Sequence, residues 1–346
     1  MSAGIVVEPL STAREGEWDS YVQSSASGTF FHLTGWKRVV EKTFGFRPAY
    51  RYACDGGKIR GILPLFVAPV LPFGRCLLSV PFAVYGGICA DDEETAKALF
   101  SDARELLDRF RGKYLELRHV KPSPLSLPAK DLYATFRRPI FDTDEANLNA
   151  IPRKERAEIR KGKKNGLASV VGGKELLNGF FDTYASSVHN LGSPVFPKAL
   201  FRNLLDEFGE RCRILSVFKD GKMLSGVMTF FFKDQVMPYY GGALRESFTL
   251  SVNDVMYWDL MCHGREHGYK VFDFGRSKKE TGPYRFKEHW GFVPEPLAYE
   301  YYLPGNAPMP NVSPSNPKFA RAISIWKGLP LELTKRIGPP LSKYFP

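Results

Sequence analysis

Residues 213–232, RILSVFKDGKMLSGVMTFFF, carry the pattern that decides the fold. Two apolar stretches flank an Asp-Gly pair, and both residue types tolerate the left-handed backbone that a tight hairpin turn needs. The same pattern occurs in the first half of the chain, in YRYACDGGKIRGILPLFV at residues 50–67. Gly61 occupies the place in the earlier hairpin that Gly226 occupies in the later one. The sequence therefore predicts two related hairpins in one chain.

Further matches follow the hairpins in the same order in both halves. They are the helix-like stretches WKRVVEKTFG and FRNLLDEFG, the triplets Tyr85-Gly86-Gly87 and Tyr240-Gly241-Gly242, and the apolar strands YLELR (114–118) and VFDFG (271–275). Each half reads as strand, helix, strand, hairpin, strand, helix, strand. Such alternation is typical of an α/β (α+β) fold in which helices flank a mixed, mainly antiparallel sheet. We predict an internal duplication, with Gly61 superposing on Gly226 and Tyr85 on Tyr240.

The length of 346 residues agrees with two domains of ordinary size. We expect an N-terminal domain over 1–150 and a C-terminal domain over 151–304, with a helix over 145–165 bridging them. The segment 305–346 begins with PGNAPMPNVSPSNP, whose composition is that of a linker, and continues as a basic amphipathic tail.

Composition favours a folded cytoplasmic protein. Hydrophobic residues make up 44% and charged residues 25%, which excludes a disordered chain. The first residues lack the basic start and apolar run of a signal peptide, so we expect a cytoplasmic location. Five scattered cysteines without a Cys-x-x-Cys pair predict neither a disulfide framework nor a zinc knuckle.

The net charge of +11 is concentrated in two segments. RKERAEIRKGKK at 153–164 has seven basic and two acidic residues, and the chain from 305 onward has six basic and one acidic. The first segment suits RNA or another polyanion, or is simply a solvated helix face. The tail, 318–345, suits peripheral contact with an anionic membrane at the inner face of the cytoplasmic membrane, or docking on the protein's own body. Both pairs of alternatives stay open.

Three stretches of the second half carry a family resemblance. RKERAEIRKGKKNGL, NLGSPVFPKALF and FDFGRSKKETGPYRFKEHWGF occur in this order. Together they resemble the FemAB-like group, relatives of the peptidoglycan aminoacyltransferases and of BioF-like acetyltransferases in the GNAT superfamily. LPLF, SVPFAVYGGICA and FDFGRS further resemble the FemAB-related proteins of PEP-CTERM/exosortase systems.

The resemblance implies two GNAT-like domains and transfer of an acyl or aminoacyl group to a small, glycan or peptide acceptor of the cell envelope or of an exopolysaccharide. The implied donor is aminoacyl-tRNA or acyl-coenzyme A, with no tightly bound cofactor. Neither half has the Gly-rich turn that usually holds the pyrophosphate of coenzyme A at a helix N-terminus. This favours a different donor without excluding coenzyme A bound in another way.

The stretch 273–291 has the densest chemistry, and we expect it to be a loop on a rigid strand. The predicted catalytic residues are Lys287, Asp273 and Tyr284; Lys287 matches the Phe-Lys position of the Fem-like motif, where the resemblance implies acceptor binding or transition-state stabilisation. The predicted substrate-binding residues here are Arg276, Lys278 and Arg285. A solvated basic loop anchored by aromatic residues is the alternative.

Two further stretches are weighed. The turn 190–198 and the end of the preceding helix offer His189, Asn190 and Ser193 as substrate contacts, with Tyr240 as another, although a helix cap explains Ser193 equally well. The segment HGREH at 263–267 fits the H-x-x-E-H signature of a zinc peptidase. Its glycine weakens the helix and no third ligand is evident, so we predict no metal.

Overall fold

The computed structural model describes residues 4–70, 74–310 and 317–346. The strands, in chain order, are β1 (Val6–Pro9), β2 (Arg47–Pro48), β3 (Arg51–Asp55), β4 (Lys58–Leu63), β5 (Leu65–Pro69), β6 (Arg75–Ser79), β7 (Cys89–Ala90), β8 (Leu115–His119), β9 (Ala129–Lys130), β10 (Tyr133–Pro139), β11 (Ala168–Gly172), β12 (Cys212–Lys219), β13 (Lys222–Phe232), β14 (Gln235–Ala243), β15 (Val271–Asp273), β16 (Ser277–Lys278), β17 (Pro294–Pro296) and β18 (Ala298–Tyr302). The α-helices are α1 (Glu15–Ser24), α2 (Thr34–Phe44), α3 (Glu93–Arg109), α4 (Asp144–Asn149), α5 (Arg153–Lys164), α6 (Leu177–Leu191), α7 (Lys198–Phe208), α8 (Val252–Glu266), α9 (Gly282–His289), α10 (Pro317–Gly328) and α11 (Leu331–Ser342).

The chain divides into two compact units. The first unit comprises Met1–Tyr133, Pro296–Val312 and Lys343–Pro346, and the second comprises Ala134–Glu295 and Ser313–Ser342. Within the described ranges, no helix has both the length and the apolar character that crossing a membrane requires. The five cysteines are all described, and none forms a disulfide.

The first unit contains two sheets. Their strand orders are β1-β3-β4-β7 and β2-β5-β6-β8-β18-β9. Pro64 separates β4 from β5. Because proline has no N–H to donate to a neighbouring strand, it interrupts what would otherwise be one long strand.

The second unit contains one sheet in the order β11-β12-β13-β14-β15-β10-β16, with β17 paired to β10. Its β13 runs without a break over eleven residues. One face of this sheet packs with α5 and α8 around a buried apolar core that includes Phe136, Val255, Phe272 and Trp290. These side chains fix the ends of β10 and β15, where the candidate site lies.

The duplication and the α/β fold class are confirmed, because both units repeat one order of helices and strands. The predicted match of Tyr85 with Tyr240 is wrong in register. Gly61 pairs across strands with Ala90, whereas Gly226 pairs with Gly242. The Tyr-Gly-Gly triplet of the second half therefore corresponds to residues 88–90, and Tyr85 lies in a loop that the second unit lacks.

The two units exchange their last strands. The sheet of the second unit includes β10, which precedes α5 in the chain, and the sheet of the first unit includes β18, which follows α9. The compact units consequently differ from the contiguous halves 1–150 and 151–304. Nothing in the linear pattern marks this exchange, because each strand directly follows elements of the other unit.

Two predicted local structures need correction. The single helix expected over 145–165 is two helices, α4 and α5, because Pro152 lacks an N–H and restricts the residue before it. The stretch 273–291 is not a loop throughout, since α9 begins at Gly282, with a proline in its first turn. In the predicted linker, residues 311–316 lie outside the described residues, as do the side chains of 317–320.

Candidate functional site

The site begins where β14 and β15 stop pairing. These parallel strands share only two registers, Gln235 with Val271 and Val236 with Phe272. Beyond them β14 continues to Ala243, paired with β13, whereas β15 ends at Asp273. Within the described sheet, the later part of β14 therefore has no strand on the β15 side, and backbone groups and side chains there are available to a ligand.

Asp273 ends β15 and is fully buried. Its Oδ1 accepts a hydrogen bond from the N–H of Gly275 at 2.7 Å and from Oγ1 of Thr135 at 3.3 Å. Gly275 has a φ of 63°, a backbone conformation that favours glycine. The carboxylate thus holds a sharp turn at the end of the strand, which agrees with a structural role better than with that of a free general base.

Lys287 closes the same turn from α9. Its Nζ donates to the carbonyl oxygens of Phe274, Gly275 and Arg276 at 2.8, 3.0 and 3.2 Å. The amine also lies 5.3 Å from the ring centre of Phe136. The side chain is buried, which corrects the expectation that Lys287 stands on an exposed loop. Its first action is to fix three consecutive carbonyl groups.

The protonation of Lys287 is finely balanced. Burial lowers the pKa of Lys287 from 10.5 to about 7, and the carboxylate of Asp273 opposes that shift. Three carbonyl acceptors match the three hydrogens of an ammonium group, whereas a neutral amine has only two. The geometry therefore favours the charged form while the apolar surroundings favour the neutral one.

The remaining residues predicted in this stretch divide by exposure. Tyr284 is half-buried and packs edge-on against Phe136, with ring centres 5.0 Å apart. Lys278 is half-buried on β16, and Arg285 is exposed on α9. The structure thus brings Tyr284, Lys287 and Asp273 together around β10, and leaves Arg285 at the surface.

Arg276 connects this turn to β14. It is half-buried, and its charge acts on the phenol of Tyr240. Burial raises the pKa of Tyr240 well above its ordinary value, with the neighbouring Tyr239 and Tyr184 acting in the same direction and Arg276 against it. Tyr240 also packs on Phe196, with ring centres 5.8 Å apart. A cation and a phenol therefore lie close together where the strands diverge.

The turn after α6 lies beyond this aromatic contact. Nδ1 of His189 lies 3.2 Å from Oγ1 of Thr334 on α11, so its partner belongs to the tail. Asn190 is exposed. The N–H of Ser193 donates to the carbonyl of Val188 at 3.2 Å, and this bond caps the helix. These contacts support the capping interpretation of Ser193.

The basic helix α5 shows one cationic face. Its buried positions are Glu155, Ile159 and Gly162. A methyl group on Gly162 would approach Val255 of α8 to 2.4 Å, so α5 packs closely on α8. The exposed cations are Arg153, Lys154, Arg160, Lys161, Lys163 and Lys164. Five of them fall on one side of the helix, at spacings of one, three or four residues or their sums.

The H-x-x-E-H segment is not arranged as a metal site. The ring centres of His263 and His267 are 4.0 Å apart, but α8 ends at Glu266 and Nδ1 of His267 contacts the backbone oxygen of His263 at 2.8 Å. In the ranges that the structure describes, no three His, Cys, Asp or Glu side chains form a group that would hold a metal ion.

Sequence reasoning missed Thr135 and Phe136 of β10. Both contact the core of the site, yet they come from a part of the sequence assigned to the other half. The alternation in YATFRRP could have identified a strand, but not the sheet it joins.

Comparison with known proteins agrees with this geometry. The acetyltransferase (GNAT) domain family matches residues 153–288, which include β11 to β15 and Lys287. The chain is similar to the lipid II:glycine glycyltransferase of Staphylococcus aureus (strain MRSA252), with 20% identity over 388 aligned residues that cover 83% of this chain and 91% of that protein.

Solved structures share the fold. FemX superposes with a TM-score of 0.65 at 17% identity, over 85% of this chain and 97% of FemX. A tandem GNAT protein from the clavulanic acid biosynthesis pathway superposes with a TM-score of 0.54 at 13% identity, over 89% of this chain and 100% of that one. The chain belongs to the FemAB-like group of GNAT acyl- and aminoacyltransferases.

Proposed function

We propose that this protein transfers an acyl or aminoacyl group to an amine or hydroxyl of a cell-envelope or exopolysaccharide precursor, in the cytoplasm or at the inner face of its membrane. The observation that carries the proposal is the position of Arg276. It stands on a turn that Lys287 and Asp273 hold, beside the part of β14 that has lost its β15 partner. A cation fixed there suits a substrate phosphate or carboxylate, or the oxyanion of acyl transfer.

The other residues have distinct proposed roles. Lys287 keeps the turn in place and adds positive charge behind it, so its contribution to rate comes through Arg276 and the three carbonyl groups. Tyr284, half-buried next to Phe136, is the candidate donor of a proton to the leaving group. Lys278 and Arg285 add positive charge for substrate binding, as do the polar groups of Tyr240 and the 190–193 turn.

The donor we favour is aminoacyl-tRNA. The exposed cations on α5 form a stripe that can follow a phosphate backbone, and acyl-coenzyme A needs no such length. The lipid II:glycine glycyltransferase and FemX likenesses agree with transfer to a peptidoglycan-type acceptor. The resemblance to PEP-CTERM-associated proteins supports an exopolysaccharide-related acceptor instead.

The test of the reaction is mass spectrometry of an acceptor panel. Amines, muropeptide precursors and glycan precursors are incubated with the protein and either acetyl-coenzyme A or charged tRNA. A mass increase equal to one acyl or aminoacyl group supports the proposal. Arg276→Ala should reduce transfer by about a hundredfold, as for loss of an oxyanion contact. Arg211→Ala, an exposed arginine at the start of β12, is the matched control and should leave transfer unchanged.

A second candidate function, an RNA-binding module without chemistry, rests on the same α5 stripe. The triple variant Arg160→Gln, Lys161→Gln, Lys164→Gln separates the two. Under the transferase proposal it raises the KM for charged tRNA and leaves any coenzyme A-dependent transfer unchanged. RNA binding that the variant abolishes, in a protein that transfers nothing from any donor, would favour the binding module.

A further inference from the structure

The tail helix α11 is turned so that its small residues face the protein. Thr334, Gly338 and Ser342 are buried and recur every four residues, which places them on one side of the helix. A methyl group on Gly338 would lie 2.9 Å from the backbone nitrogen of Val195, so the helix approaches the turn after α6 as closely as a glycine allows. The inward face is therefore filled by small and polar side chains.

Further contacts fix the tail helices on α6. Lys335 forms an ion pair of 2.9 Å with Asp182, and Thr334 contacts His189. On α10, Ile323 lies close to Gly192, where a methyl group would approach it to 2.5 Å. The docking alternative raised from the sequence is thus supported, and it determines which side of each helix remains outside.

The outward side carries large apolar residues. Leu333 and Leu341 on α11 are both 42% exposed, Ile325 on α10 is 59% exposed, and Leu191 at the end of α6 is 64% exposed. Leu333 and Leu341 are eight residues apart and so share a helix face. Leu191 adjoins Gly192, which Ile323 of α10 contacts. Docking on the body therefore leaves this apolar surface uncovered.

The charges beside this surface are positive. Arg321, Lys327 and Arg336 are exposed on the same two helices. From residue 305 onward the sequence has one acidic residue, Glu332, and its carboxylate is already paired with Lys335 at 2.8 Å. Apolar side chains among basic ones are the combination that binds the boundary between headgroups and acyl chains of an anionic bilayer.

We infer that the outer surface of α10 and α11, together with Leu191, is a docking surface for anionic lipid membranes. The leucine and isoleucine side chains enter the interface, and Arg321, Lys327 and Arg336 meet the headgroups. The charge pattern selects lipid as the occupant, because a second copy of this chain would bring the same positive charge to the contact. This inference stands whether or not the proposed transfer reaction is correct.

The experiment uses the full chain and co-sedimentation with phosphatidylcholine vesicles, with and without phosphatidylglycerol. Wild type should bind only the vesicles that contain phosphatidylglycerol. Ile325→Asp with Leu333→Asp should weaken binding at least about tenfold, since two apolar side chains no longer insert. Arg321→Gln, Lys327→Gln and Arg336→Gln together should weaken it about a hundredfold at low salt, from about 1 kcal/mol for each basic residue.

The control is Phe248→Asp with Val293→Asp, two exposed apolar residues outside the tail, which should bind like wild type. Thermal melting confirms that each variant is folded. Equal binding by all variants, or equal loss in the control, would overturn the inference. It would also fail if the Ile325/Leu333 variant converted a dimer to a monomer in sedimentation equilibrium without affecting vesicle binding.

Discussion

The two units resolve the same strand geometry in opposite ways. In each, a parallel pair shares two registers and then ends: β6 with β8 in the first unit, β14 with β15 in the second. The first unit inserts residues 80–88 at this point, and 80–87 are all buried. The second unit inserts nothing, and β14 continues as one strand.

Each unit also has an arginine near the end of its shorter strand. Arg118 is 4% exposed, paired with Glu116 at 2.9 Å, and donates to the carbonyls of Val80 and Ala83. Arg276 is half-buried next to Tyr240. In the first unit the cation has become part of the packing, whereas in the second it remains accessible beside an incomplete sheet.

The inserted loop of the first unit is held in a strained form. Val80 and Phe82 have φ values of 57° and 61°, which cost about 1–3 kcal/mol each for residues other than glycine. The hydrogen bonds from Arg118 help to stabilise that conformation. The comparison teaches that the duplicated architecture alone does not make a site; what matters is whether the gap between the strands is filled.

The largest expected effect concerns the exchanged strands. A fragment of residues 151–346 lacks β10 and with it Phe136, which is fully buried in the core of the second unit. We expect this fragment not to melt cooperatively by circular dichroism, while 134–346, which retains β10, does. A cooperative transition of 151–346 at the same temperature would show that the exchange is dispensable.

Lys287 should make stability depend on pH in a way that Arg118 does not. The pKa of Lys287 is about 7 in the folded protein, against 10.5 for an unperturbed lysine. Between these values the unfolded chain binds more protons, so the unfolding free energy should rise with pH from about 7 to 10.5 and be flat below that window. Lys287→Met should lack this slope in urea titrations at several pH values. Parallel profiles for wild type and variant would contradict the shifted pKa.

Within the second unit, Lys278→Ala should have a much smaller effect than Arg276→Ala. Lys278 is half-buried on β16, whereas Arg276 stands on the turn held by Lys287. We expect transfer to fall by less than about tenfold for Lys278→Ala, since a peripheral charge contributes mostly through screened attraction. Equal losses in turnover for the two variants would favour a diffuse basic surface.

The smallest expected effect is that of a chelator. We expect purified protein to contain no stoichiometric zinc and to keep its activity in EDTA, because His267 lies beyond the end of α8 and binds a backbone oxygen. Metal analysis by inductively coupled plasma mass spectrometry checks this. One zinc per chain, with activity lost on its removal, would bring back the peptidase alternative.

The sequence predicted the duplicated α/β fold, because hairpin turns and apolar alternation are local signals. It also identified Asp273, Arg276 and Lys287, which lie within one stretch. It could not predict that Lys287 is buried, since burial depends on Phe136 from a distant strand. Tyr85 was misplaced because an insertion preserves a sequence triplet while shifting its strand register.

The central claim, that the second unit carries the chemistry, is tested most directly by Lys287→Met against Arg118→Met, with transfer rates expressed per folded molecule. We predict a loss of at least about a hundredfold for Lys287→Met, because the turn that positions Arg276 is released. Arg118→Met should destabilise the protein by about 3–5 kcal/mol, since Glu116 is left buried without its partner, but keep the rate per folded molecule within about threefold. Arg118→Lys serves as the milder variant if the first does not fold. A comparable loss of rate in both units would contradict the account.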